Sequence, residues 1–469
     1  MSEELCCQSA IEQRRLVGQR EISAVELLEA HLERIEEVNG RVNAICTLAP
    51  EKARSSAQVV DERIARGEDP GLLAGLPVAV KDLAMTAGIR TTLGSPIYAD
   101  FVPSQDAAIV ERMKAAGAVV LGKSNTPEFG AGSHTFNEVF GVTRNPYDLG
   151  RTAGGSSGGG AAALAAGMVP LADGSDLGGS VRNPPGYNNV VGLRPSPGRV
   201  SSWPARQPWD TLPSLGPMAR SVEDAALLLA VLAGHDPRDP LSLPGDGSEF
   251  LQPLDVDLKG ARVAWSPDLG QLPVEPEVLE VLQPAVGVLQ ELGCVVEEAH
   301  PDLRGGRELF QTLRAAAFAG GMGADYERHA DQMKETVRWN IERGLALSAS
   351  DVVQAQTERA ALFQRTLRFF ETYDYLVLPV SQVPPFPVET EWPREVAGVD
   401  CPTYVDWMMS CCLISLTEHP AASVPGGFTA DGLPVGLQIV GRHRDELSVL
   451  RLARAFEEAT GHGLVRPSL

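Results

Sequence analysis

The chain has 469 residues and a formal net charge of −21, an acidic balance that excludes nucleic acid and anionic membrane as expected partners. Hydrophobic residues make up 43% and charged residues 22%, the proportions of a folded globular protein, and the length suits one large α/β core or two domains. The seven cysteines (Cys6, Cys7, Cys46, Cys294, Cys401, Cys411 and Cys412) show no CxxC or Cys/His ligand spacing, so neither a zinc site nor a disulfide framework is expected, and reduced thiols in a cytoplasmic protein are the simplest account.

In chain order, MSEELCCQSAIEQRR begins acidic and lacks the apolar core of a signal peptide. No apolar run approaches ~18 residues, so a membrane span is not expected. Ser23 and Glu26 form a capping-box pattern before AVELLEAHLERIEEV, the first amphipathic helix. Residues 55–66 read as a second helix, and LAGLPVAVKD as a buried strand ending at Lys81. Asp106 is placed to cap a helix through Ala116, and AVVLG (118–122) follows as a strand, so a β–α–β rhythm is visible. NPYDLGRTA is turn-rich and polar, without strand character. The small residues of AAALAAG suit a helix packed tightly beneath the glycine-rich turn GGSSGGG. Ser221 and Asp224 start a nearly all-apolar helix, and residues 235–258 read as a connecting loop. ARVAWS is a strand, 275–292 a helix that Pro284 should kink or divide, and CVVEEA another strand. Residues 301–370 read as helical. YDYLVLPV (373–380) is a strand, and LPVGLQIVG then DELSVLRLARAFEEAT a closing strand and helix. We read one α/β domain over 1–469, a mixed central β-sheet covered by helices on both faces, without repeats or low-complexity tracts.

The chemistry concentrates in RTAGGSSGGGAAALAAGMVPLADGSDLGGSVR (151–182), which sets Ser156 and Ser180 each in a glycine-rich turn. Glycines allow unusual dihedrals and close approach, so a serine among them can be surrounded by bare backbone N–H groups, as acyl transfer requires. Lys81 stands alone in an apolar strand. Taken singly, the pieces are a flexible linker, a strand-edge lysine and a turn-rich loop; together they suggest a serine nucleophile with a lysine base. GGSSG also satisfies G-x-S-x-G, but that elbow needs a strand directly before it and Asp and His partners downstream. No Gly-Lys-Ser/Thr follows the glycines, which excludes a phosphate-binding loop.

Lys81, GGSSGG (154–159) and GSDLGGSVR (174–182) come in this order, with Ser156 75 positions after Lys81 and Ser180 24 positions after Ser156. This pattern resembles the amidase signature family, whose members hydrolyse carboxylic amides through a Ser-cisSer-Lys triad. SNTPEFG (124–130), TRNPYD (143–148), VGLRPSPGRVS (191–201), LGPMARSVEDAALLLAVLAG (215–234) and GLPVGLQIVG (432–441) extend the likeness over most of the chain. The resemblance implies the amidase signature fold, with residues 70–235 as catalytic core and about 300–410, which departs most from the pattern, as a variable substrate-facing subregion.

The resemblance also assigns roles. Ser180 is the nucleophile, and Ser156, after a cis Gly155–Ser156 peptide, relays its proton to Lys81. A lysine serves as base only when neutral, and the apolar run before Lys81 implies the burial that lowers its pKa. The N–H groups of Leu177, Gly178, Gly179 and Ser180 are candidates for the oxyanion hole. Asp176 and Arg182 are expected to pair or hold the loop, with Ser157 also in support. Phe129, Gly130, Ala131 and Gly132 fall where family members place substrate-contacting backbone. Trp203, Trp209, Trp407 and Met408 are candidates for an apolar wall, core packing being the alternative for each. Asn188-Asn189 departs from a Cys-Gly found in many members. The expectation is a cytoplasmic, metal-independent and cofactor-free hydrolase of a small-molecule amide, with side activity on esters or carbamates and a homodimer as the default assembly. The rival readings are the glutaminase subunit of a tRNA-dependent amidotransferase and a non-catalytic binding protein that has kept the fold.

Overall fold

In the computed structural model, which describes residues 2–469, the apolar run before Lys81 forms the strand Pro77–Lys81, every residue of it buried. It pairs in parallel with Val119–Ser124 and with Leu171–Asp176, so three consecutive sheet strands deliver Lys81 and the loop after Asp176 to one edge. Successive strand residues point to opposite faces. Val119–Ser124 and Pro434–Val440 are buried at every position, so the sheet is covered on both sides, as continuous apolar strands require.

Among the described residues the sheet has eleven strands. From edge to edge they run Ile45–Leu48, Val119–Ser124, Pro77–Lys81, Leu171–Asp176, Ser214–Ala219, Val191–Arg194, Ala421–Phe428, Pro434–Val440, Tyr375–Pro379, Arg262–Trp265 and Val295–Glu298. Parallel pairs lie near its two ends, and antiparallel pairs run through the middle from Leu171–Asp176 to Tyr375–Pro379. This is the mixed sheet the sequence predicts. The capping box of Ser23 and Glu26 also forms, at the start of helix Ala24–Val42.

Helix Gly158–Ala165 is buried throughout. Its small residues let it press against neighbouring backbone: a Cβ on Gly159 would stand 2.3 Å from Asn125 N and 2.6 Å from Ala44 O. Backbone cannot yield as a side chain does, so Gly159→Ala is expected to cost about 1–3 kcal/mol of stability. Urea unfolding monitored by circular dichroism measures it, as a lower midpoint at unchanged slope.

Four local expectations are corrected. Two helices, Ser2–Cys7 and Ala10–Gly18, precede the one expected to open the chain. They are tied down by distant groups: Asp224 accepts from the N–H of Ala10 and Ile11, and Arg220 donates to the carbonyls of Cys6 and Gln8. Asp106 caps no helix. The helix runs Ala108–Ala115 without a side-chain cap, and Asp106 instead accepts from Ala87 N and Lys114 Nζ. The segment before the glycines contains a two-stranded hairpin, Arg144–Asn145 with Asp148–Thr152. It is separate from the central sheet, so the elbow geometry is still absent. Pro284 does not divide helix Pro276–Glu291. Pro284 and Glu280, whose carbonyl loses its N–H donor, are both exposed, while Val278, Leu282, Ala285 and Leu289 anchor the opposite face.

Candidate active site

Lys81 ends its strand with its side chain inside the protein, 1% exposed. Its Nζ lies 2.8 Å from Ser156 Oγ, 2.8 Å from Ser157 Oγ, 3.0 Å from Ser175 Oγ and 3.4 Å from Ser175 O. No carboxylate comes within 4.0 Å of it among the described residues, although Asp173 accepts the Lys81 backbone N–H at 2.9 Å. Burial is the largest influence and draws the pKa down to about 7, against the opposing pull of Asp173 and Asp176. An amine surrounded by neutral hydroxyls is therefore poised to lose its proton near neutral pH.

The turn that presents Ser156 is held by the segment before it. Ser133 Oγ donates to Gly155 O at 2.6 Å, and Thr135 Oγ1 to Gly154 O at 2.8 Å. The Gly155–Ser156 peptide is cis. Ser156 and Ser157 are buried, whereas Ser180 is half-buried and thus the more accessible serine. Ser156 and Ser180 both line one cavity of about 150 Å³.

The loop carrying Ser180 is organised around Asp176. Arg182 donates to it through Nε (3.0 Å) and Nη2 (2.9 Å), and Arg194 Nη1 lies 3.3 Å away. The backbone N–H groups of Gly179 and Val181 donate to the same carboxylate at 2.7 and 3.1 Å. Burial works against its ionisation, but the two guanidiniums and the Gly179 N–H hold it well below the usual carboxylate range. Arg182 also donates to Cys411 O, Gln438 Oε1 and Ser415 Oγ, fastening the loop to the C-terminal part of the chain.

This wiring corrects the oxyanion-hole expectation at one residue. The Gly179 N–H is committed to Asp176, with φ at +124°, so it is not free for an oxyanion. Leu177, Gly178 and Ser180 line the cavity, and their N–H groups have no acceptor among the described residues. Glycine is required at 178 by crowding: a Cβ there would lie 2.6 Å from Phe310 Cζ and 3.0 Å from Cys412 Sγ.

Of the expected substrate-contacting segment, Phe129, Gly130 and Gly132 line the cavity. Ala131 does not. Its side chain joins an apolar cluster with Phe318, Met333, Val337 and Ile341. Met408 is in the wall, but Trp407 is core, stacked on Tyr187 with ring centroids 6.4 Å apart, and Trp209 is 74% exposed. Trp203 lines a second cavity of about 160 Å³ that also touches Lys81 and Ser175. Sequence reasoning misses Ser175, whose place one residue before Asp176 on the same strand end could have revealed it. It also misses Arg314, Phe318, Leu83 and Pro213 in the wall, which no local pattern marks. Among the described residues no group of three or more His, Cys, Asp or Glu is placed to hold a metal ion, and no helix is long and apolar enough to cross a membrane.

Against known proteins, residues 26–450 match the family model described as Amidase. The chain is 37% identical to an acylamidase of Rhodococcus erythropolis, covering 96% of this chain and 94% of that one. It is 36% identical to a glutamyl-tRNA(Gln) amidotransferase subunit of Alkaliphilus metalliredigens, covering 94% of each. Among solved structures, it resembles a bacterial aryl acylamidase of the amidase signature family, with a TM-score of 0.92 at 31% identity over 97% of both chains. A 6-aminohexanoate cyclic dimer hydrolase gives 0.88 at 30% identity over 99% of both.

Proposed function

The chain belongs to the amidase signature family, and from that premise we propose that it hydrolyses the C–N bond of a small-molecule amide through an acyl-enzyme on Ser180. Neutral Lys81 draws the proton of Ser180 through the Ser156 hydroxyl as Ser180 Oγ attacks the carbonyl carbon. The N–H groups of Leu177, Gly178 and Ser180 receive the oxyanion, an interaction worth roughly 3–4 kcal/mol per donor in the transition state. As the tetrahedral intermediate collapses, the C–N bond breaks and the proton held by Lys81 returns through Ser156 to the departing amine. Water then attacks the acyl-enzyme along the same relay, releasing the acid and restoring Ser180. Asp176, Arg182 and Ser157 position the loop and the lysine. Esters and carbamates, with easier leaving groups, are expected side substrates.

The observation that carries this reading is the 2.8 Å approach of buried Lys81 Nζ to Ser156 Oγ, with no carboxylate within 4.0 Å of the amine among the described residues and with Ser156 and Ser180 sharing one cavity. Product release from a panel of amides, anilides, carbamates and glutamine, with Ser180→Ala in parallel, is the test. Turnover of a non-glutamine amide that disappears in the variant supports a stand-alone hydrolase; a panel on which only the variant-insensitive background is seen contradicts it.

A second reading is favoured by the amidotransferase relatives at 36–38% identity: a glutaminase that works with partner subunits. Hydrolysis of glutamine alone, strictly dependent on a copurifying partner, selects it. We take the stand-alone enzyme as the working form, residues 1–469 as one catalytic unit and the cytoplasm as its location.

The lowered pKa of Lys81 sets the pH dependence. Below about 7 the lysine carries its proton and cannot act as base; above it the neutral form dominates. The rate constant kcat/KM is therefore expected to climb about tenfold per pH unit below this value and level off above it. A profile flat from pH 5 to 9 contradicts the assignment of Lys81 as base.

A further inference from the structure

Arg314, on helix Gly306–His329, lines the same cavity as Ser156 and Ser180. The residue is 4% exposed. Its Nε and Nη2 both donate to a single neutral oxygen, the phenol of Tyr404, at 3.2 and 2.6 Å, and that oxygen also accepts from Asn340. Nη1 has no acceptor, and no carboxylate lies within 4.0 Å of the guanidinium, among the described residues.

Other buried arginines have a carboxylate or several carbonyls as partners, although Arg194 Nε, Arg220 Nε and Arg359 Nη2 lack a hydrogen-bond acceptor among the described residues. Arg182 and Arg194 share Asp176, Arg359 meets Glu418 at 3.2 Å, and Arg220 donates to four backbone carbonyls. The nearby carboxylates are engaged elsewhere: Asp176, which lines the same cavity, by Arg182 and Arg194; Asp406, two residues after Tyr404, by Arg307 and Gln311; and Glu128, next to the cavity residue Phe129, by Ser95 and the Lys334 N–H. A buried guanidinium needs an anion or a full set of acceptors. Phe318, with its ring centroid 4.5 Å from the guanidinium carbon, and Tyr404, at 5.4 Å, hold the fork in place. Leu83, Phe129, Pro213 and Met408 make much of the remaining wall apolar, which strengthens any charge interaction inside.

We propose that Arg314 receives a carboxylate of the substrate, so that the site takes small amides bearing an acid group near the scissile carbonyl. This rests on the amide-hydrolase reading above and names the substrate class for it. A guanidinium fork suits a carboxylate bidentately, and a cavity of about 150 Å³ limits the acyl part to a short chain.

The test compares malonamate, succinamate and glutaramate with neutral alkyl amides of matching length, in the wild type, Arg314→Gln and Arg314→Lys. The wild type is expected to favour at least one acid-bearing amide by on the order of 100-fold in kcat/KM, chiefly through KM, and Arg314→Gln to remove that preference, with Arg314→Lys retaining part of it. Equal or better turnover of neutral amides by the wild type overturns the proposal. So does an Arg314→Gln enzyme in which both classes fall by the same factor, the result expected if Arg314 merely supports Tyr404. Calorimetric binding of succinate gives a readout without catalysis: the wild type is expected to bind it and Arg314→Gln to lose that binding. If no amide is turned over yet succinate binding still depends on Arg314, the hydrolase reading fails and the carboxylate site stands. If amides are turned over and succinate does not bind, the carboxylate site fails alone.

Discussion

Ser180→Ala is expected to lower amide turnover by roughly 10⁴–10⁶-fold, the loss seen when a serine hydrolase is deprived of its nucleophile, and Lys81→Ala to do nearly the same. The two act as a unit: without the hydroxyl there is no acyl acceptor, and without the amine nothing takes its proton. The double variant should therefore be scarcely worse than either single one. The substitutions differ in their effect on the fold. Ser180 is half-buried in a loop, and removing its hydroxyl leaves no buried group unpaired. Lys81→Ala empties a buried space beside three serine hydroxyls, so Lys81→Met, closer in volume, is the cleaner control. Steady-state rates with circular dichroism on each variant separate lost chemistry from lost structure. Near-wild-type turnover in any of these variants would sink the mechanism.

Asp176→Ala is expected to be the most destabilising single change near the site, by about 3–5 kcal/mol, because it strands two buried guanidiniums. Arg182 and Arg194 are both fully buried and converge on this carboxylate, and the N–H groups of Gly179 and Val181 lose their acceptor with it. Freed from Asp176, the Gly179 N–H would no longer hold the turn before Ser180, so activity should fall even where the variant remains folded. The pH dependence of the native protein carries a related signature. A depressed carboxyl pKa stabilises the fold above the unfolded-state value of about 4, and that contribution drains away as pH falls from there towards the folded-state value. Urea midpoints measured from pH 7 down to pH 3 should show this loss in the wild type and a shallower loss in Asp176→Ala. An Asp176→Ala midpoint within experimental error of the wild type at pH 7 would refute the structural role.

The proposed triad was legible because its parts belong to local patterns. An apolar run long enough for a buried strand ends at Lys81, glycine-rich turns surround each serine, and the resemblance to the family's ordered pattern assigns the three their joint role. The capping box of Ser23 and Glu26 was legible for the same reason: its partners stand three residues apart and answer each other. What escaped was set by distant partners. Asp106 looks like a cap, yet it is drawn to Lys114 and Ala87, and the first two helices are secured by Arg220 and Asp224 from far along the chain. In sequence the Gly179 N–H reads as available, but its turn folds back on Asp176. Arg314 carries no motif at all; only packing of its helix against the loop that carries Ser180 makes it part of the wall.

The central claim, that Ser180 is the nucleophile activated by Lys81, is tested most directly by covalent labelling with a fluorophosphonate followed by peptide mass spectrometry. One adduct on Ser180 is predicted in the wild type, absent in Ser180→Ala and slowed by orders of magnitude in Lys81→Met. An adduct on Ser156 or another residue, or undiminished labelling of Ser180 without Lys81, would contradict the account.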